Sequence, residues 1–391
     1  MQTVCQLNKC AGCMACVDIC PKKAITIQDS LDSYNAVIDT ELCVNCQACH
    51  MVCPNNNCPT QREPQKWYQG WAGDKSIRCK CSSGGLATAI SEAFIESGGH
   101  VYGCCFEKGI FLFKKASQIS ELASFSGSKY VKSNPAGCYK DIRDSLKKGE
   151  RVLFIGLPCQ VAAVRNFVGE KLDQNLYTAD LICHGTPSPK LLDVFLNQYK
   201  KQLSSFDNIL FRIKAKMQIH CDGEGIVRKG VSDRYTIAFL NGLTYTDNCY
   251  KCQFAQRKRV SDITLGDSWG SELPLESMKE GVSLALCQTR KGIEILENAD
   301  VELLSVDLEN AILNNQQLDH PSIMPKDRVV FFESLKKGYK FNKLVKKYLP
   351  KQCFRQDIKA LLIRMRIRSA GGKSSLIYGI IVNENSNRNE P

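Results

Sequence analysis

Cys10-Ala11-Gly12-Cys13-Met14-Ala15-Cys16-Val17-Asp18-Ile19-Cys20-Pro21 returns 33 residues later as Cys43-Val44-Asn45-Cys46-Gln47-Ala48-Cys49-His50-Met51-Val52-Cys53-Pro54. Each run reads C-x2-C-x2-C-x3-C-P. Thiolates three residues apart wrap a loop around an iron–sulfur cube, and the helix that follows carries the fourth ligand away, so two such runs exchange a cysteine. Cys10, Cys13, Cys16 and Cys53 are therefore assigned to one 4Fe–4S cluster, and Cys43, Cys46, Cys49 and Cys20 to the other. Each terminal proline stops the short helix before it. Between the runs, Ala24 to Ile27 and Ala36 to Asp39 read as two short strands around a turn. Paired cysteines also bind zinc, but two complete runs with terminal prolines fit a pair of zinc knuckles poorly.

Around this stretch lies a chain of 391 residues, 43 % hydrophobic and 24 % charged, with 22 cysteines and a net charge of +12. That length allows two or three domains. With no leader-like start and no apolar run long enough to span a bilayer, a cytoplasmic protein without a transmembrane segment is expected, and its cysteines should hold metal rather than pair in disulfides. The positive charge concentrates between Lys326 and Lys373 and includes Arg364, Arg366 and Arg368. Aromatic stacking platforms and a nucleic-acid motif are missing, so nucleic acid is not an expected partner. A solvated helical face is the plain reading. Docking of an acidic electron carrier and weak contact with an anionic membrane surface are the functional ones.

Residues 59–66 have linker composition, and a new domain is expected near Trp67. Ser82-Ser83-Gly84-Gly85 opens an apolar-periodic helix from Leu86 to about Glu96, and free N–H groups at such a start suit a phosphate. Gly127-Ser128-Lys129 is a second polar loop, with a lysine as point charge. Arg151 to Ile155 is a continuous apolar run of the kind a buried parallel strand carries. It leads through Gly156-Leu157-Pro158-Cys159-Gln160 into a helix, Val161 to Val168. Leu176 to Ile182 is the next strand, ending at Cys183-His184-Gly185, and Ser188-Pro189 caps another helix. Cys159 and Cys183 thus fall just past the carboxyl ends of consecutive parallel strands, the rim where open sheets build their sites. Cys249 and Cys252, expected after an antiparallel stretch containing Tyr235 to Leu240, complete four thiolates for a third 4Fe–4S cluster or a structural zinc. Cys183-His184 also has a nucleophile-and-base reading, though neighbours on a loop usually point apart. Gly266-Asp267-Ser268-Trp269-Gly270 closes a further strand in a tight turn, and Val282 to Leu286 begins one more. From Asp300 the chain reads as helical and basic.

Arg78 through Gly85, Gly127 through Val131, Gly156 through Gln160, Asp180 through Gly185 and Ser261 through Gly270, in that order and with Cys249 and Cys252, resemble the coenzyme F420 hydrogenase/dehydrogenase beta-subunit family. The likeness is to the bacterial form with an N-terminal two-cluster ferredoxin domain. Over roughly residues 1 to 300 it implies an α+β architecture in which that ferredoxin domain (1–58) and linker (59–66) precede a mixed α/β flavin-binding domain (67–300, in parts 67–145 and 146–300); the basic, mostly helical extension (301–391) is read from composition. It also implies an FAD-dependent oxidoreductase. Ser82, Ser83, Gly84, Gly85, Lys129, Gly266 and Asp267 would contact FAD, and Cys159, Cys183, Cys249 and Cys252 would hold a third cluster. Cys81 stands where the family commonly carries serine, so one hydroxyl contact to flavin is expected to be absent or replaced by a thiol. His184 and Asp267 are the residues available to deliver a proton. The expected partners are a low-potential donor such as ferredoxin or flavodoxin, and an organic acceptor or a partner protein.

Overall fold

The computed structural model describes residues 2–365. Its strands are β1 (Ile25–Asp29), β2 (Tyr34–Ile38), β3 (Lys66–Ala72), β4 (His100–Glu107), β5 (Ile110–Ala116), β6 (Val152–Gly156), β7 (Leu176–Leu181), β8 (Ile209–Ile213), β9 (Lys216–Cys221), β10 (Glu224–Gly225), β11 (Ile263–Asp267), β12 (Ser283–Cys287) and β13 (Val301–Leu304). Eight of them form one sheet in the order β13-β3-β12-β11-β7-β6-β4-β5. β4, β6, β7 and β11 run parallel at its centre, with antiparallel strands on both sides. Val152, Leu153 and Phe154 are wholly buried, which is why β6 is apolar at successive positions instead of alternating. Helix and strand mix as the α+β reading expected.

The crossover helix Pro158–Val168 begins on a proline, and Ser188 caps the helix Pro189–Asn197 by accepting the Lys190 N–H. Both starts follow the sequence pattern. Two elements do not. Tyr235 to Leu240, expected in an antiparallel stretch, lies in the helix Arg234–Leu240. The Asp233 carboxylate accepts from Thr236 N–H at 2.8 Å and from Ile219 N–H at 2.8 Å. That cap, with burial of Tyr235, Ile237 and Phe239, outweighs the strand preference of the aromatic and β-branched side chains. Val301–Leu304 is a strand, not helix, because β3 has a free edge that it pairs. The sheet therefore draws strands from both sides of residue 145 and of residue 300. Arg366, Arg368 and Lys373 of the basic region lie outside the described residues.

The cysteine-rich segment packs directly on this sheet domain. Val4, Ile25 and Ile38 share one apolar core with Tyr139, Ile142, Phe154 and Val161. Tyr139 donates its hydroxyl to the carbonyl of Cys13 at 2.8 Å, and the Asp18 carboxylate accepts the Gly137 N–H at 2.7 Å. In the antiparallel sheet β10-β9-β8, β8 and β9 form a second core with the helices Arg234–Leu240 and Phe341–Tyr348.

Candidate iron–sulfur and cofactor site

Each cysteine run forms a left-handed residue before its short helix, at Met14 (φ 62°) and at Gln47 (φ 62°), so that the loop turns its thiols inward. Cys20 and Cys53 end those helices in extended backbone and cross over. Cys10, Cys13, Cys16 and Cys53 line one small void, and Cys20, Cys43, Cys46 and Cys49 another. This is the exchanged pairing read from the sequence. The first set is buried, whereas Cys46 is exposed and the rest of its set half-buried. Cys5 also lines the first void, an additional thiol that the spacing did not single out.

Cys159, in the first turn of its helix, and Cys183, two residues past β7, meet Cys249 and Cys252 around a cavity of 560 Å³. Four thiolates converging from three separate stretches form a donor set that fits a 4Fe–4S cube. Among the described residues, no three His, Cys, Asp or Glu side chains close on a single-ion position. Four thiolates on one zinc must crowd within about 4 Å of one another, whereas a cube holds them at its corners. Burial, with the adjacent Cys249 and Cys159, pushes the Cys183 thiol far up. An activated nucleophile needs the opposite shift.

Lys132, which sequence reasoning passed over, is only 5 % exposed. Its ammonium donates to the Ala11 carbonyl at 3.0 Å and to the Thr186 hydroxyl at 3.2 Å. Thr186 in turn gives its N–H to Cys249 Sγ at 3.4 Å. A hydrogen bond from Cys5 pulls the Cys10 thiol down and burial pushes the Cys159 thiol up, while the Lys132 charge acts downward on both. Cys13, Cys49 and Cys159, one from each set, border the same apolar core.

Leu157 belongs to the wall of the 560 Å³ cavity and to that of a second cavity of 150 Å³. Gly127, Ser128, Lys129, Thr88, Phe113 and Phe125 are among the residues lining this second one. Lys129 donates to the carbonyls of Phe125 at 2.8 Å and Ser126 at 2.9 Å, and burial pulls its ammonium down from the ordinary lysine range. Of the seven residues expected to touch FAD, Lys129 alone lies in this wall. Ser82 Oγ supports it by accepting the Ser128 N–H at 3.1 Å. Ser83 donates to the Val282 carbonyl and Gly84 N–H to Ser283 Oγ, each at 3.0 Å, so much of this loop's hydrogen-bonding capacity goes to β12. A side chain at Gly84 would collide with the Gly70 carbonyl at 2.4 Å, and Gly85 (φ 93°) caps the helix Leu86–Glu96. Cys81 Sγ sits 3.3 Å from Thr88 Oγ1, so the thiol reaches the cavity through a lining hydroxyl.

Gly266 and Asp267 stand behind this region. Both Asp267 oxygens are taken by Arg212, at 2.6 and 3.2 Å, and Arg212 also donates to the Ser82 carbonyl at 2.6 Å and to the Tyr130 hydroxyl at 3.2 Å. The carboxylate expected to deliver a proton is thus an anchor. Arg212, on β8, joins three of the sequence motifs although nothing in its sequence neighbourhood marks it. His184 lines the cysteine cavity and is exposed to it, and desolvation by the surrounding protein lowers its imidazole below the ordinary histidine range.

This combination of a two-run cysteine fold with a mixed sheet whose rim carries four more cysteines defines an iron–sulfur protein of the oxidoreductase class. A family model described as 4Fe-4S dicluster domain matches residues 9–57, and the model for the C terminus of the coenzyme F420 hydrogenase/dehydrogenase beta subunit matches residues 149–309. Over those residues the chain is similar to the coenzyme F420 hydrogenase/dehydrogenase beta-subunit family, with a 4Fe-4S dicluster domain N-terminal to it. A chain of the xenon-derivatised F420-reducing NiFe hydrogenase complex from Methanosarcina barkeri is 19 % identical, with a TM-score of 0.45. That match covers 66 % of the present chain and 91 % of the other. No curated protein sequence matches. Among the described residues no helix is long and apolar enough to cross a membrane.

Proposed function

We propose that the protein is an FAD-dependent iron–sulfur oxidoreductase that connects low-potential one-electron donors with an organic hydride acceptor. The observation carrying this reading is the shared Leu157 wall between a cavity ringed by four cysteines and a cavity bearing Lys129 and the Gly127-Ser128 turn. Bound in these places, cubes would each store one electron and a flavin would exchange two as a hydride.

The chain's own residues do the rest. Twelve cysteines in three sets hold the metal: Cys10, Cys13, Cys16 and Cys53; Cys20, Cys43, Cys46 and Cys49; and Cys159, Cys183, Cys249 and Cys252. Phe113, Phe125 and Leu122 keep water from the smaller cavity, while Lys129 and the start of the helix Leu86–Glu96 supply its polar side. Ser82, Ser83, Gly84, Gly85 and Gly266 hold that wall in place, and the Arg212–Asp267 pair fixes the loops to one another. His184, exposed on the cavity wall beside Cys183, is the remaining residue for a proton. A ferredoxin or flavodoxin is the donor this arrangement suits.

A second reading is an electron-transfer subunit that serves a partner protein and has no small substrate of its own. It is favoured by the exposed Cys46 set, rimmed by the exposed apolar side chains of Leu42, Val44 and Met51, and by the subunit designation of the family. Reduced protein, isolated without oxygen, separates the two. Reoxidation by a small organic acceptor, followed at the flavin band, supports the enzyme; reoxidation only by a second protein supports the subunit.

A further inference from the structure

The helix Pro350–Arg364 holds to the body by one face. Cys353 is buried, Gln356 accepts the Ser232 N–H at 3.0 Å, Asp357 pairs with Arg234, and Ile363 lies against Gly230. The opposite face is apolar and uncovered among the described residues. Phe354, Ile358, Leu361 and Met365, spaced i, i+4, i+7 and i+11, are between 42 and 64 % exposed. At 3.6 residues per turn these four fall within about 60° of one another. Lys351 and Arg364 flank the stripe on either side, Lys347 precedes it, and all three are exposed. Asp357, the carboxylate of this helix, is occupied by Arg234 and Lys346.

We propose that this face docks on an anionic lipid surface. A narrow apolar stripe between cationic rims is the pattern by which a helix lies in a bilayer interface, with apolar side chains among the acyl chains and lysines and arginines at the headgroups. The charges favour lipid over a second copy of the chain. A two-fold contact through the stripe would set these basic rims against each other. The sequence continues with Arg366 and Arg368, which adds to the same charge. The inference is independent of which cofactors the protein binds.

The test is co-sedimentation of the full-length protein with two kinds of vesicle, one of phosphatidylcholine alone and one containing about 30 mol % phosphatidylglycerol, enough to give a strongly negative surface. Binding to the anionic vesicles at least about tenfold tighter than to neutral ones, and weakened by salt, is expected. Phe354→Ser with Leu361→Ser should abolish it. Lys347→Gln with Lys351→Gln and Arg364→Gln should erase the preference for anionic lipid. All five positions are exposed, so iron content and melting temperature should stay as in the parent and exclude misfolding as the cause. No binding by the parent, equal binding to both vesicles, or binding untouched by the apolar substitutions would overturn the proposal. So would a dimer, seen by light scattering, that Phe354→Ser dissociates.

Discussion

The Lys132 ammonium lies 3.0 Å from the carbonyl oxygen of Ala11, so one buried cation ties the loop between Cys10 and Cys13 to the wall of the next cysteine set. Its second bond, to Thr186, ends on the residue whose N–H meets Cys249. A fixed positive charge there stabilises the more negative, reduced state of whatever the neighbouring thiolates hold. Replacing it with methionine keeps the length and removes the charge. Lys132→Met should lower the potentials of clusters held by the two adjacent sets while leaving one held by Cys20, Cys43, Cys46 and Cys49 nearly unchanged. A unit charge at about 8 Å is worth about 2 kcal/mol at an effective dielectric of about 20. An EPR-monitored redox titration would resolve that shift, and Lys132→Arg should largely reverse it.

Removal of single cysteines tests the ligand sets. Cys159→Ala should cost about four of about twelve irons and leave the N-terminal signals intact. Cys58→Ala, outside every set, should cost none. Iron analysis with low-temperature EPR reads both, and retention of full iron in Cys159→Ala would remove that residue from the third set.

Arg212 joins the Ser82 loop, Tyr130 and Asp267 with little exposure to solvent. Arg212→Met leaves the Asp267 carboxylate without its partner, and breaking a buried pair costs about 3–5 kcal/mol. Thermal melting should record the loss, and flavin retention should fall with it because Ser82 also supports Ser128. Asp267→Asn keeps a hydrogen bond and should be milder.

Cys104 lines the smaller cavity, and burial pushes its thiol up to about 11. Only the thiolate alkylates, so below that value its labelling by iodoacetamide should rise about tenfold per pH unit. Added FAD should protect it if the flavin fills this cavity. Peptide mapping of the alkylated site measures both effects.

The chemistry is legible in the sequence where it is local. Both cysteine runs, the crossover β6 to β7 and the serine-proline cap at Ser188 follow from spacing, apolar continuity and capping. Cys159 and Cys183 can be set on one rim because connectivity fixes where the carboxyl ends of consecutive parallel strands fall. What escapes such reading is long-range. Lys132 acquires meaning only when the N-terminal segment packs against Tyr139 and brings Ala11 beside it. Arg212 sits in the strand Ile209-Leu210-Phe211-Arg212-Ile213, where one arginine looks like an outward residue until Asp267, 55 residues away, closes on it. The helix Arg234–Leu240 is hidden by its own composition, since tyrosine, threonine, isoleucine and phenylalanine favour strand and only the Asp233 cap points the other way. Asp267 reads as an acid because a sequence does not disclose that both its oxygens are engaged.

The central claim is that three cysteine sets hold three cubes beside one flavin. Its most direct test is the iron, zinc and flavin content of the chain purified without oxygen. About twelve irons per FAD with negligible zinc is the predicted result. About eight irons, with zinc at the set formed by Cys159, Cys183, Cys249 and Cys252, or a preparation without flavin, would contradict it.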